Sequence, residues 1–110
     1  MTAKTTFTYK GKYTSYPNCR FVPNRYHNGN LALQIFDDEG LIATCTINGR
    51  VEIEGSIIAV KDYSENEGMV DFLKSIGIIE DRPKYCEHSG FVIIPYYELT
   101  ESGKELFMDV

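Results

Sequence analysis

The chain has 110 residues, 43% of them hydrophobic and 25% charged, with a formal net charge of −5. That length sets one domain with a core of its own, and the composition excludes wholesale disorder. Apolar runs such as Phe91–Ile94 are far too short to span a bilayer, and the opening MTAKTTFTYKGK lacks the apolar stretch of a signal peptide, so a cytoplasmic protein is expected.

Along the chain, residues 5–16 interleave Thr and Lys with Phe7, Tyr9 and Tyr13, which is strand patterning with Gly11 at a turn. Pro17-Asn18 reads as punctuation. Residues 19–26 form a second extended segment, which Pro23 assigns to an edge or an irregular strand because it has no N–H to give. His27-Asn28-Gly29-Asn30 is a turn. The strongest local signal follows. Leu31 to Asn48 reads as a hairpin whose first arm puts Leu31, Leu33 and Ile35 on one face, with Asp37-Asp38-Glu39-Gly40 at its tip. Asn48-Gly49 is another turn, and residues 51–60 hold one or two short strands around Gly55, Ile57 to Val60 being the clearer.

Helix signals begin at Ser64, whose spacing to Glu67 is that of a capping box. Met69, Val70, Phe72, Leu73 and Ile76 form an apolar stripe at helical spacing, and Gly77 fits the position past the C-cap, so a helix over about 65–76 is expected. Arg82-Pro83 marks a loop, residues 84–88 are extended or turn-like, and Ser89-Gly90 is a bend. Residues 91–99 read as a strand that Pro95 places near an edge or strand end. The tail from Thr100 offers a short helix, capped by Thr100 and anchored by Leu106 and Phe107. The fold class is α+β: a mostly antiparallel sheet of five to seven strands with one helix packed on it and a short C-terminal helix as an addition.

Cys19, Cys45 and Cys86 are three and widely spaced, which argues against a disulfide framework and suits a reducing compartment. Zinc ligation by Cys86-x-His88 with Cys19 and His27 lacks any accompanying C-x-x-C or H-x-x-x-H pair, so a buried thiol beside a surface imidazole is the better reading. Asp37-Asp38-Glu39 lacks the spaced pattern of a calcium loop and reads as a solvated hairpin tip. There is no phosphate-binding loop, nucleophile elbow or glycine-rich fingerprint. No metal, cofactor or catalytic residue is therefore expected, and the chain is read as a non-enzyme.

The charge map is uneven. Up to Phe36 there are five basic residues and no acid, whereas from Asp37 onward the net charge is −10. The candidate binding residues are the basic, tyrosine-interleaved set Lys10, Lys12, Tyr13, Tyr16, Arg20, Arg25 and Tyr26. Cations neutralise phosphates and tyrosine faces stack bases, which allows a nucleotide or single-strand site. Against that stands a blander expectation, that the cations pair with the acidic remainder while the tyrosines pack on the sheet.

Residues 30–98 resemble a family of small domains of unknown function carried by phages and conjugative elements. The likeness rests on LALQIFDDEG from Leu31, ATCTIN from Ala43, Phe72-Leu73 and SGFVIIPYYEL from Ser89. It departs at Ile42, where a proline is expected, and leaves the first 25 residues uncovered. The resemblance implies a mobile element inside a bacterial host cell and lends no activity and no site residue. In that setting a non-enzymatic accessory protein that binds and blocks a host factor, such as a defence component, is the leading expectation. Exposed tyrosines on a sheet edge and the acidic loops would make the contact. A nucleotide or nucleic-acid binder is the alternative, and the chain itself is expected to be a monomer or a sheet-edge homodimer.

Overall fold

The computed structural model describes residues 6–49 and 56–108. Among these described residues seven strands form two antiparallel sheets, where the sequence reading grouped the strands as one. The first runs in the order β1 (Phe7–Lys10), β2 (Ser15–Arg25), β3 (Leu31–Asp37), β4 (Gly40–Thr44), and the second is β5 (Ile57–Ala59), β7 (Val92–Glu98), β6 (Tyr85–Ser89). Two seven-residue helices, α1 (Met69–Ser75) and α2 (Glu101–Phe107), complete the α+β fold. Among the described residues no helix is long and apolar enough to cross a membrane.

The Leu31 hairpin forms as its pattern dictates. Leu31, Leu33 and Ile35 are all buried, while Ala32, Gln34 and Phe36 on the opposite face are half-buried. Asp38-Glu39 makes the turn, with the Asp37 carboxylate accepting the Glu39 N–H at 2.8 Å and Gly40 at a positive φ of 132°. Pro17-Asn18 does not end a strand. It is the bulged part of β2, where Asn18 takes φ 58° and the pairing with β1 slips between Phe7 and Tyr9. Strand β2, which holds Pro23, is not an edge but lies between β1 and β3, and it is irregular, its pairing with β1 shifting at the bulge; opposite Pro23 itself the described neighbour is β3 alone.

Pro95 is not at an edge or strand end. It lies in β7, the central strand of the second sheet, opposite Cys86. Its carbonyl accepts the Val60 N–H at 3.0 Å just beyond the end of β5. In an antiparallel strand a residue's N–H and C=O point the same way, so the missing N–H faces the place where β5 has already stopped. The ladder loses little there.

The two sheets are joined by residues 45–47 running against 59–61. Ile47 N–H donates to Ala59 at 3.0 Å and Lys61 N–H to Cys45 at 2.8 Å. Leaving β3 to make this crossing would orphan the Leu33 N–H, and the buried Thr46 hydroxyl accepts it at 3.2 Å. Burial pushes the Cys45 thiol pKa well up, so that sulfur is a packing group.

The apolar stripe of the first helix is as expected: Met69, Val70, Phe72 and Leu73 are buried. Its start is not. Residues 64–66 form a single 3-10 turn, Ser64 takes φ 59°, and Gly68 at φ 97° re-aims the chain before α1. The carboxylate of Asp62 accepts from Gly68 at 2.8 Å and Val70 at 3.4 Å, so the cap comes from Asp62 and not from Ser64. The helix ends in a Schellman motif: Gly77 N–H donates to Lys74 and Ile78 N–H to Leu73, each at 3.0 Å. Thr100 caps α2 as expected, its hydroxyl accepting from Gly103 at 3.1 Å.

Both helices pack on the same aromatic layer. Phe7 meets Phe21 at 4.5 Å and Phe72 at 5.8 Å between centroids, Tyr9 meets Phe72 edge-on at 5.0 Å, and Phe21 meets Phe107 at 5.3 Å. The main core thus takes the inner faces of both sheets, and a smaller cluster of Ala59, Ile94 and Tyr96 lies on the far side of the second sheet.

Candidate functional site

The β1–β2 turn and the 3-10 turn at Ser64–Asn66 approach each other and leave a cleft of about 120 Å³ between them. Gly11 makes the turn tight: its N–H donates to Thr14 at 2.9 Å, and a Cβ there would lie 3.2 Å from the Thr14 carbonyl and 3.3 Å from the Tyr9 ring. Tyr9 is buried beneath, stacked on Tyr16 at 6.1 Å with 16° between the planes. Ile42 and Ala43 of β4 and the buried Asn66 close the other side, Asn66 donating from its amide to the Thr44 carbonyl at 2.6 Å.

Tyr13 projects from the turn, 82% exposed. The Lys12 ammonium sits 5.4 Å from its ring centroid and 2.8 Å from Glu67 Oε1. One cation therefore clamps the tyrosine face and ties the basic turn to the acidic one, and the hydrogen bond with Glu67 raises the Lys12 pKa. Glu65 accepts from Lys61 at 2.8 Å, and that bond is the main cause of a carboxyl pKa lowered to about 2. At neutral pH the cleft carries a tyrosine wall, a clamped ammonium and the ionised Glu65, with the ionised Glu67 paired to Lys12 beside it.

A titration tests this electrostatic picture. The Glu65 carboxyl resonance is expected to titrate near pH 2, against 4.5 for a free glutamate, and to move upward when Lys61 is replaced by Met. Because the folded pKa lies below the unfolded one, the pair's contribution to stability is complete above about pH 4.5 and is lost as pH falls toward 2. Both groups meet solvent, which keeps that contribution small. A Glu65 midpoint unmoved by Lys61→Met overturns the assignment.

Of the candidate binding residues, the cleft gathers Lys12, Tyr13 and Tyr16. Lys10 is exposed at the end of β1. The β2–β3 register separates the two arginines: Arg20 pairs with Phe36 on the outer face, Arg25 with Leu31 on the core face. Arg20 reaches Asp38 at 3.7 Å, and Arg25 donates to the Gly29 carbonyl at 3.2 Å, stapling its own turn. Tyr26 shares a hydrogen bond with the Thr46 hydroxyl at 3.1 Å where the sheets meet. Lys12 and Arg20 are thus both paired with acids of the later chain, as the blander expectation has it.

Glu65, Asn66 and Glu67 were not among the candidates. The sole pointer to them was the opposite charge of the two parts of the chain, which calls for pairing without naming partners. Cys86 differs from its expectation as well. It is exposed: β6 is an edge strand, and Cys86 lies with His88 and the exposed Ile93 at a part of that face the main core does not cover. Among the described residues no group of three or more His, Cys, Asp or Glu side chains is placed to hold a metal ion. No family model, curated protein or solved structure matches the chain.

Proposed function

We propose that this chain is a non-enzymatic binding protein that acts by occupying a partner protein with the Tyr13 surface. The observation that carries the reading is the exposed Tyr13 ring, held by Lys12 and Glu67 above a cleft edged by Glu65. An aromatic anchor fixed before binding spends little conformational entropy on contact, and tyrosine is enriched among the residues that dominate interface energies. The flanking carboxylates favour a partner surface with basic groups. In the setting implied by the resemblance to mobile-element proteins, that partner is a host factor of the bacterial cell, a defence component being the leading class.

A phosphate-tracking role draws less support, because Arg20 and Arg25 lie on opposite faces and Lys12 is committed to Glu67.

The test is affinity capture from bacterial host lysate with the wild-type chain and with Tyr13→Ala. A captured protein is expected to bind the variant about 30-fold more weakly, the effect of losing an anchor worth about 2 kcal/mol. The melting temperature should stay put, because Tyr13 buries little in the fold. Equal binding by the variant, or no partner at all, overturns the proposal.

A further inference from the structure

We infer that two copies of this chain join through the β6 edge, each extending the other's three-stranded sheet into a continuous six-stranded one. Open sheet edges invite pairing, and native proteins blunt them with lysine, proline, bulges or shortness. The edge strand β1 is four residues long and carries Lys10. The edge strand β4 begins beside the acidic tip and hands over at Cys45 to the crossing with residues 59–61. Strand β6, five residues long and preceded by Lys84, whose N–H reaches the Tyr96 carbonyl at 2.7 Å, is the least protected along its own length. It contains no Lys or Pro, and its register with β7 runs unshifted from Tyr85↔Tyr96 to Ser89↔Val92. Among the described residues it has β7 on one side and no strand on the other.

Strand β6 itself carries Glu87, His88 and Ser89, and apolar side chains stand exposed around it in the same hairpin. Of the five large hydrophobic residues that stand exposed among the described residues, Tyr85, Phe91 and Ile93 all belong to this hairpin, Phe91 being fully exposed and Ile93 55% exposed. Charge then selects the occupant. The chain carries a formal −5 overall, but residues 83–97 hold one lysine and one glutamate, with no formal net charge. Two acidic copies repel over most of their surfaces and do not repel here. A basic partner would be drawn to the acidic turns instead. A strand paired antiparallel with its own copy lies on a two-fold axis, so the contact closes as a dimer and does not propagate.

The register follows from the same residues. The Pro95 carbonyl faces Val60, so by alternation Ile94 turns its polar groups to Glu87, and β6 presents the N–H and C=O of Cys86 and His88 outward. An axis through Glu87 would set two carboxylates against each other, and an axis through Cys86 would oppose His88 to Lys84. An axis through His88 places Glu87 across from Ser89 of the second copy and avoids both conflicts.

Sedimentation of the full chain over a range of concentration provides the test. Wild type is expected to reach a dimer, and Cys86→Lys or Ile93→Lys, both at exposed positions, to raise the dimer dissociation constant at least tenfold while the circular dichroism spectrum stays native. In a Cys86→Ser background, His88→Cys should form an intermolecular disulfide on mild oxidation, because directly paired strand residues lie about 5.5 Å apart, within disulfide reach. Wild type that stays monomeric to millimolar concentration overturns the inference, whether or not a foreign protein binds this edge. A dimer indifferent to both lysine variants, or one whose His88→Cys pair does not cross-link, overturns it equally. The Tyr13 surface plays no part in these measurements, so failure here leaves the partner-binding proposal to its own test.

Discussion

Phe107→Ala is expected to lower the unfolding free energy by about 4 kcal/mol and the melting temperature by roughly 20 °C. Phe107 is buried in the last turn of α2, a helix that follows the second sheet in the chain. Its ring meets Phe21 of the first sheet edge-on, at 5.3 Å and 83°. Phe21 in turn packs on Phe7, and Phe7 on Phe72 of α1. One side chain therefore ties the C-terminal helix into the layer shared by both helices and the first sheet. Truncation removes the transfer energy of an aromatic ring and leaves a cavity walled by strands whose ladders resist collapse. The check is urea unfolding followed by far-ultraviolet circular dichroism and by tyrosine fluorescence. Coincident transitions shifted by several kcal/mol support the linkage. A loss below about 1.5 kcal/mol, or helix α2 melting apart from the rest, would show that the helix is an appendage. Leu106→Ala, at the half-buried neighbouring position, should cost clearly less.

What could be read from the sequence was what is encoded locally. Leu31, Leu33 and Ile35 alternate with polar or smaller residues, one face is buried, and a one-residue slip would expose all three, so the hairpin is specified on its own. Gly77 and Thr100 likewise carry their capping chemistry within a few residues. The start of α1 was misread because its cap acceptor, Asp62, reaches across the 3-10 turn and leaves no spacing signature, while Ser64 and Glu67 imitate one. Pro95 was misplaced because the rule about proline in sheets concerns where its absent N–H points. That direction is set by the length of β5, a tertiary fact. Thr46 looked like an ordinary strand residue, and its role as acceptor for Leu33 exists only because the chain changes sheets there.

The candidate site divides along the same line. Lys12, Tyr13 and Tyr16 stood out because cations and aromatics fall together around Gly11, and the turn keeps them together in space. Arg20 and Arg25 belonged to the same run of sequence, but an odd separation along an unbulged stretch of β2 sends them to opposite faces. The acidic half of the site comes from a turn that contact with β4 places, with Asn66 anchored on Thr44. A charge map indicates that such pairing should occur. It does not say that Lys12 finds Glu67, because that depends on where two separate turns are carried by the sheets beneath them.

The second large effect is one where helix propensity and packing disagree in sign. Gly103 lies inside α2, where glycine costs about 1 kcal/mol relative to alanine, so Gly103→Ala should stabilise an isolated helix. In the folded chain the opposite is expected, a net loss of about 2 kcal/mol. A Cβ at this position would stand 2.5 Å from the Ile78 carbonyl and 3.2 Å from Leu99 Cδ2. The carbonyl is backbone and cannot swing aside. It accepts the Thr100 N–H at 2.9 Å, while the Thr100 hydroxyl holds the neighbouring Gly77 carbonyl. Relief would require α2 to lift as a unit, which would loosen Phe107 from Phe21. Denaturant titration of Gly103→Ala beside Ser102→Ala separates the two contributions, since Ser102 is exposed on the same helix and reports propensity alone. The expected result is a lower midpoint for Gly103→Ala and an unchanged or higher one for Ser102→Ala. A midpoint for Gly103→Ala at or above wild type would mean that α2 is not seated against Ile78 and Leu99.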